Sequence, residues 1–221
     1  MAPPRIETHE HLDDADAPTE EVLRSLDDLR RINRWFGGTW AYRHLLRRLT
    51  TIRSLAIADL GTGTSDLLAL TDGIASRRIG LDIKLHHLAY GRALGNDGVD
   101  RVAANAFRIP LRDDSVDVVT SSHLVHHFDE EKVVAILREA LRVARIGVAM
   151  SDTRRHWVPL LFTRAVAKTP LWGPITRHDA PASIAQAYTM GEMRAIAARA
   201  GARRWDVVPQ IAFRAAVLLW K

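Results

Sequence analysis

A chain of 221 residues that is 47% hydrophobic is long enough for one sizeable packed core and too short for two ordinary domains. The absence of cysteine excludes disulfides and thiolate chemistry, and no segment approaches the ~18 unbroken apolar residues of a membrane span. The formal net charge of +5 suggests nucleic acid only until its distribution is read. Among 31 Lys and Arg, only Lys84, Lys132, Lys168 and Lys221 are lysines. Acids crowd residues 7–28 and are absent from 29–58 and from 153–178. Such blocks mark either a basic face toward an anionic partner or membrane headgroups, or a solvated helix face paired with the acidic segment before it. The second is the simpler reading. Peripheral membrane contact stays open, a nucleic-acid partner is not expected, and the oligomeric state is not legible.

In chain order, residues 1–18 carry Pro3, Pro4 and many acids with no apolar core. They are expected to form a disordered acidic tail rather than a secretory signal, which makes the cytoplasm the default location. Val22, Leu26, Leu29 and Ile32 step by three or four and predict a helix from Thr19 to about Phe36. Gly37-Gly38 breaks it, and Thr39 is expected to cap a second helix with Trp40, Leu45, Leu46 and Leu49 on its apolar side. Apolar runs then predict strands near 55–60, 77–82, 101–104, 116–121, 145–151, 203–208 and 211–219. Helices are predicted near 66–71, 85–94, 130–143 and 191–200. The long connection 152–188 holds Trp157, Phe162 and Trp172, and insertions of that length commonly carry binding function.

The most informative stretch runs from Ala56 to Asp66. An apolar strand ends in Asp59, a loop with Gly61 and Gly63 follows, and about twenty residues later a second apolar run ends in Asp82. This describes a parallel β-α-β unit holding a nucleoside-containing ligand. Asp66 stands where the dinucleotide fingerprint has its third glycine. A carboxylate at that helix mouth repels a pyrophosphate, and no phosphate-cradling P-loop run is present. A cationic or zwitterionic ligand fits the acid-flanked loop better.

Asp59-Leu-Gly-Thr-Gly-Thr-Ser65 resembles motif I of the class I S-adenosylmethionine-dependent methyltransferases, and Gly80-Leu-Asp82 resembles their motif II. Asn105-Ala106 before Phe107-Arg-Ile-Pro110, the segment Ser115–Phe128, and Leu137–Val143 follow in the family's order. The nearest flavour is the methyltransferase type 11 and ubiquinone/menaquinone C-methyltransferase-like group. Two departures are Ser65 for the third motif I glycine and Asn105 for the usual acid. Both keep the required size or acceptor oxygen.

The resemblance implies an α/β, Rossmann-like, seven-stranded, mostly parallel sheet with helices on both faces and an antiparallel last strand. Residues 19–221 form one domain in this reading, with 19–52 a helical lid and 152–188 a substrate cap. It implies S-adenosyl-L-methionine as cofactor, with Asp82 on the ribose and Gly61 and Gly63 admitting the methionine portion. Asp59 and Asp66 set the potential of the loop, and Asn105 and Ala106 face the adenine. Thr62, Ile83 and Ser121 complete the expected contacts. The apolar cap implies a small, largely apolar acceptor: phenolic, quinone or polyketide-like.

His123, His126 and His127 follow the fourth predicted strand, at the carboxyl edge where open α/β sheets bind ligands. A neutral imidazole there is a candidate general base, and His178 beside Asp179 is a second. Asp129 and Glu130 lack a recognisable ligand spacing, so no metal is expected. The alternatives are a non-catalytic S-adenosylmethionine-binding protein and a nucleic-acid methyltransferase. Ser121-Ser-His-Leu124 lacks the Pro-Pro-aromatic motif of amino-methylating DNA enzymes.

Overall fold

The computed structural model describes residues 2–14, 16–52 and 54–221. Seven strands form one sheet: β1 (Leu55–Leu60), β2 (Ala75–Asp82), β3 (Asp100–Ala103), β4 (Val116–Ser122), β5 (Ala144–Thr153), β6 (Arg204–Gln210) and β7 (Arg214–Trp220). Their spatial order is β3-β2-β1-β4-β5-β7-β6, and β7 runs antiparallel to both neighbours. The chain builds outward from β1 to β3, then returns to the other side of β1 as β4. The carboxyl ends of β1 and β4 therefore flank the point where strand order reverses, which is where open α/β sheets open a crevice.

Central strands read as continuous apolar runs because both faces are covered. On one face Ala58, Leu60, Val119, Val148 and Met150 pack under α5 (Glu130–Val143) and α8 (Met190–Arg199). On the other, Leu55, Ile57, Val118, Ala149 and Leu218 pack against Tyr42, Leu45, Leu46 and Leu49 of α2 (Gly38–Leu49) and Leu67 and Leu68 of the short α3 (Asp66–Ala69). Helix α1 (Thr19–Trp35) crosses onto α7 (Pro174–Gln186), and α4 (Leu85–Ala93) joins β2 to β3.

The expected lid over 19–52 therefore divides. Helix α1 borders the cavity described below, whereas α2 is a core layer whose buried stripe covers the sheet. Thr39 does not cap α2. Gly37 precedes its first residue in a left-handed conformation (φ 78°), and the Thr39 hydroxyl donates to the Asn33 carbonyl instead.

Two further expectations are corrected. Within 2–18 the backbone is tied to α7, not free: Ile6 N–H donates to Ala185 O at 3.2 Å, and His11 and Leu12 N–H both donate to the Asp179 carboxylate at 2.9 Å. Acidic composition suggested solvation, but the partners in these three bonds lie more than 160 residues away in sequence. The insertion 152–188 folds as α6 (Trp157–Val166) and α7, and its aromatics do not cap the cavity. Trp157 and Phe162 face outward, and from this segment only Gln186 reaches the cavity wall.

Candidate active site

A cavity of about 600 Å³ opens at the carboxyl edge of the sheet, within the size range of small-molecule sites. Its floor is the loop after β1. Gly61, Gly63 and Ser65 all adopt positive φ (63°, 51° and 62°), a conformation that costs an L-residue about 1–2 kcal/mol and glycine little. The alternating glycine pattern thus has a backbone cause, and Ser65 carries strain that the first two positions avoid. Ser65 is fully buried, with its hydroxyl accepting from Thr62 Oγ1 at 3.3 Å. Helix α4 approaches this loop so closely that a Cβ on Gly91 would sit 2.4 Å from the Thr64 carbonyl oxygen.

Three carboxylates surround the loop. Asp59, at the end of β1, accepts from Thr120 Oγ1 at 2.6 Å. Asp82, at the end of β2, accepts from Gly63 N–H at 2.9 Å and Lys84 N–H at 2.8 Å, so it also braces the glycine loop. Asp66 accepts from Thr64 Oγ1 at 3.1 Å and Asn33 Nδ2 at 3.5 Å. Burial raises all three pKa values; hydrogen bonds from these neutral donors oppose it, as do the more distant charges of Lys84 and His86 at Asp82 and of Arg30 at Asp66, and Asp59 is pushed up to about 6. The Lys84 ammonium turns away to the Leu12 carbonyl at 2.8 Å and toward Asp13 at 3.6 Å. Among the described residues, the basic group nearest any of the three is His87 Nδ1, 3.9 Å from Asp82. Burial, with His86 and Lys84 adding to it, lowers that imidazole to about 4, so it is neutral. Among the described residues, the cavity therefore holds buried carboxylates with no charged protein cation within 4.0 Å of them. That donor set suits a cationic ligand bearing hydroxyls, as the sequence led us to expect.

Next to the acids, Ile83, Ala104, Asn105 and Ala106 form one wall. The Asn105 side-chain oxygen accepts from Phe107 N–H at 2.9 Å, so it already caps its own turn. The opposite wall is Ser122, His123, Leu124, His126, His127 and Phe128, with Leu26, Leu29 and Asn33 of α1 above.

The structure brings His123, His126 and His127 together but in three different states. His126 is buried between two acids, with Nδ1 2.7 Å from Asp152 Oδ1 and Nε2 3.4 Å from Glu10 Oε1. Burial alone would lower its pKa, but Asp152 and Glu10 outweigh burial and hold it raised, to about 10. At neutral pH it is an imidazolium and cannot accept a proton. His127 lies 3.1 Å from Asp13 Oδ2 and 3.8 Å from Glu10 Oε2. His123 has φ 56°. Burial, reinforced by the positive charge of Arg214, holds it well below 6.5, and its Nε2 has no hydrogen-bond partner. His123 is thus the member of the cluster kept neutral and unengaged.

Two expected site residues fall outside the cavity. Ser121 points into the sheet and donates to Leu60 O at 2.8 Å, and its neighbour Ser122 takes the place at the wall. The alternation of a strand put the wrong serine inward. His178 stacks on His11 at 3.7 Å and lies 2.8 Å from Asp179, on the far side of the N-terminal segment.

Sequence reading missed Glu10, Asp152 and Gly91. Glu10 had no usable signal, since its partners are beyond residue 120 in sequence. Asp152 had one, because it ends an apolar strand as Asp59 and Asp82 do. Ligand atoms of Glu10, His126 and His127 lie within 4.8 Å of one another. Ser183 and Gln186 also donate to Glu10, at 2.7 and 2.6 Å, so the group is satisfied as a charge and hydrogen-bond network.

The methyltransferase domain family matches residues 58–150, the segment from β1 through most of β5. Over that segment the chain is similar to methyltransferase domains. A demethylmenaquinone methyltransferase of Roseiflexus sp. is 32% identical over 111 residues, covering 47% of this chain and 44% of that protein. A ubiquinone/menaquinone biosynthesis C-methyltransferase of Rubrivivax gelatinosus is 34% identical over 91 residues, 41% of this chain and 36% of that one. The chain thus spans less than half the length of these curated relatives. Among solved structures, a SAM-dependent methyltransferase of Aquifex aeolicus superposes with TM-score 0.64 at 20% identity, covering 92% of this chain and 98% of that one. Human N-acetylserotonin methyltransferase superposes with TM-score 0.67 at 14% identity, covering 92% and 56%. The two superpositions bear on the fold of this chain alone.

Proposed function

We propose that this chain transfers a methyl group from S-adenosylmethionine to a small, largely apolar acceptor, phenolic, quinone or polyketide-like, by O- or C-methylation. The observation that carries the reading is the set of buried carboxylates Asp59, Asp66 and Asp82 around a left-handed glycine loop, with no charged protein cation within 4.0 Å among the described residues. Bound there, S-adenosylmethionine supplies an electrophilic methyl on a sulfonium. Asp82 accepts hydrogen bonds from ribose hydroxyls, and Asp59 and Asp66 favour the positive charge. Gly61, Thr62 and Gly63 admit the methionine portion, while Ile83, Asn105 and Ala106 border the adenine.

The acceptor side is the wall of Leu26, Leu29, His123, Leu124 and Phe128, which supports an apolar acceptor where the outward-facing Trp157 and Phe162 do not. The protein's chief contribution is alignment of the two reactants. Where the acceptor must lose a proton, His123 is the imidazole available to take it, since His126 already carries one. The names of the relatives favour a quinone-type acceptor, and no observation here favours nucleic acid.

Calorimetry with S-adenosylhomocysteine, followed by transfer of labelled methyl from S-adenosylmethionine to a panel of phenols and quinones, tests the proposal. Binding that Asp82→Ala weakens by about 1–3 kcal/mol, the scale of charged hydrogen bonds, is expected. Tight NAD binding without response to either adenosyl ligand, or salt-suppressed methylation of tRNA in place of the panel, overturns it.

A further inference from the structure

Away from the cavity, α6 is apolar on both sides. Its inward residues Pro159 and Leu160 pack toward Ile184 and Ala185 of α7. Its outward stripe, Trp157, Val158, Leu161 and Phe162, is 43–59% exposed. A helix that is apolar all round is ordinarily enclosed or set against lipid. Phe162 meets Phe36 at 5.7 Å between ring centroids. Phe36 adjoins Trp35, which is 75% exposed. On the other side of that corner Ile211, half exposed, packs on Gly37. Three separate chain segments thus form one outward apolar surface, of the kind that marks an interaction site.

The charged side chains beside it in sequence are basic. The two acid-free stretches of the sequence, 29–58 and 153–178, meet here through the Phe36–Phe162 contact. Arg34, beside Trp35, and Arg164 and Lys168, just after Phe162, are exposed, and among the described residues none of the three lies within 4.0 Å of a carboxylate. Aromatic and leucine side chains flanked by unpaired Arg and Lys match the requirements of an interfacial helix: apolar groups at the acyl boundary, cations at anionic headgroups. A second copy of the chain would cover the apolar stripe only by bringing two such cation rows together, which like-charge repulsion opposes.

We propose that the face built by α6 and the α1–α2 corner seats this protein on an anionic bilayer surface. The inference is independent of the reading of the cavity, since none of its residues lines the site.

Co-sedimentation with vesicles of phosphatidylcholine mixed with phosphatidylglycerol, set against phosphatidylcholine alone, tests it. The wild type is expected to pellet with the anionic vesicles and to be released by salt. Leu161→Ser with Phe162→Ser is expected to lower the bound fraction by about tenfold or more, from the apolar area withdrawn. Arg164→Glu with Lys168→Glu is expected to lower it by about tenfold for anionic vesicles only. None of the four side chains lines the cavity, so S-adenosylhomocysteine binding should stay at the wild-type value. Wild type remaining in the supernatant with both vesicle types, or a stable dimer in solution that Leu161→Ser with Phe162→Ser separates, overturns the proposal.

Discussion

Asp152, the penultimate residue of β5, and His126, in the turn after β4, face each other across 2.7 Å with both side chains about 2% exposed. Asp152 also accepts from the His126 backbone N–H at 3.2 Å. One carboxylate therefore fixes both the turn and the ring that the turn carries. Glu10 closes the other side of that ring, so the pair locks the N-terminal segment to the sheet edge.

Asp152→Asn should leave a buried imidazolium short of its main counter-charge and destabilise the fold by about 3–5 kcal/mol in denaturant titrations. The pH dependence follows from the direction of each shift. His126 is raised above 6.5, so its contribution is complete below that value and fades as pH climbs through about 10. Burial opposes ionisation of Asp152, but the His126 charge prevails and holds it below 3.8, so its contribution is complete above that value and is lost in acid. The gap between wild type and Asp152→Asn should be widest between pH ~4 and ~6.5 and narrow toward alkaline pH. A pH-independent gap would show that the pair contributes only neutral hydrogen bonds.

Affinity for S-adenosylmethionine should fall as the medium is acidified through about 6, where burial has placed the Asp59 pKa. The raised value means that ionised Asp59 costs the free protein stability above 3.8, and protonation relieves that cost below about 6. The same proton removes a charge that a cationic ligand needs. Calorimetry from pH 5 to 8 should show the decline, and Asp59→Asn should flatten it. An unchanged profile in Asp59→Asn would move the titration to Asp66 or Asp82.

His123→Ala should lower turnover on a phenolic acceptor by about 10²-fold, the lower end for general bases, because its pKa lies well below the working pH. Cofactor affinity should be nearly unchanged. His126→Ala should act mainly through stability, visible as a lower melting temperature. Equal losses of turnover in both variants, without any loss of stability, would restore His126 to a direct chemical role.

Gly91→Ala should be costly although the residue lies on an ordinary helix. The added methyl would stand 2.4 Å from the Thr64 carbonyl, so α4 or the glycine loop must shift. A loss of about 1–3 kcal/mol in stability is expected from overpacking, together with weaker S-adenosylhomocysteine binding. Wild-type binding in Gly91→Ala would mean that the loop position tolerates more adjustment than its contacts suggest.

The strands and helices from β1 through β4 were legible because each is decided locally. Apolar runs ending in Asp59 and Asp82, and a loop with Gly61 and Gly63, follow from strand burial and from left-handed backbone positions. Neighbours in sequence supply both. The acid surplus around the loop was equally legible, since charges that end adjacent parallel strands must share one sheet edge. What only the tertiary structure decided depends on pairs far apart in the chain. Composition cannot show that Glu10 closes on His126 and His127, so the N-terminal segment read as a tail. Nor can it show that Asp152 keeps His126 protonated, so three similar imidazoles read as equivalent bases. Period two cannot say whether Ser121 or Ser122 faces the ligand at a strand's last turn. Helix α6 reads as a cap from its aromatics alone, but which way it turns them is set by its packing against α7, and that packing turns them outward. Local sequence determined which groups the chain offers. Long-range packing determined which of them meet, and through burial and charge, in which protonation state.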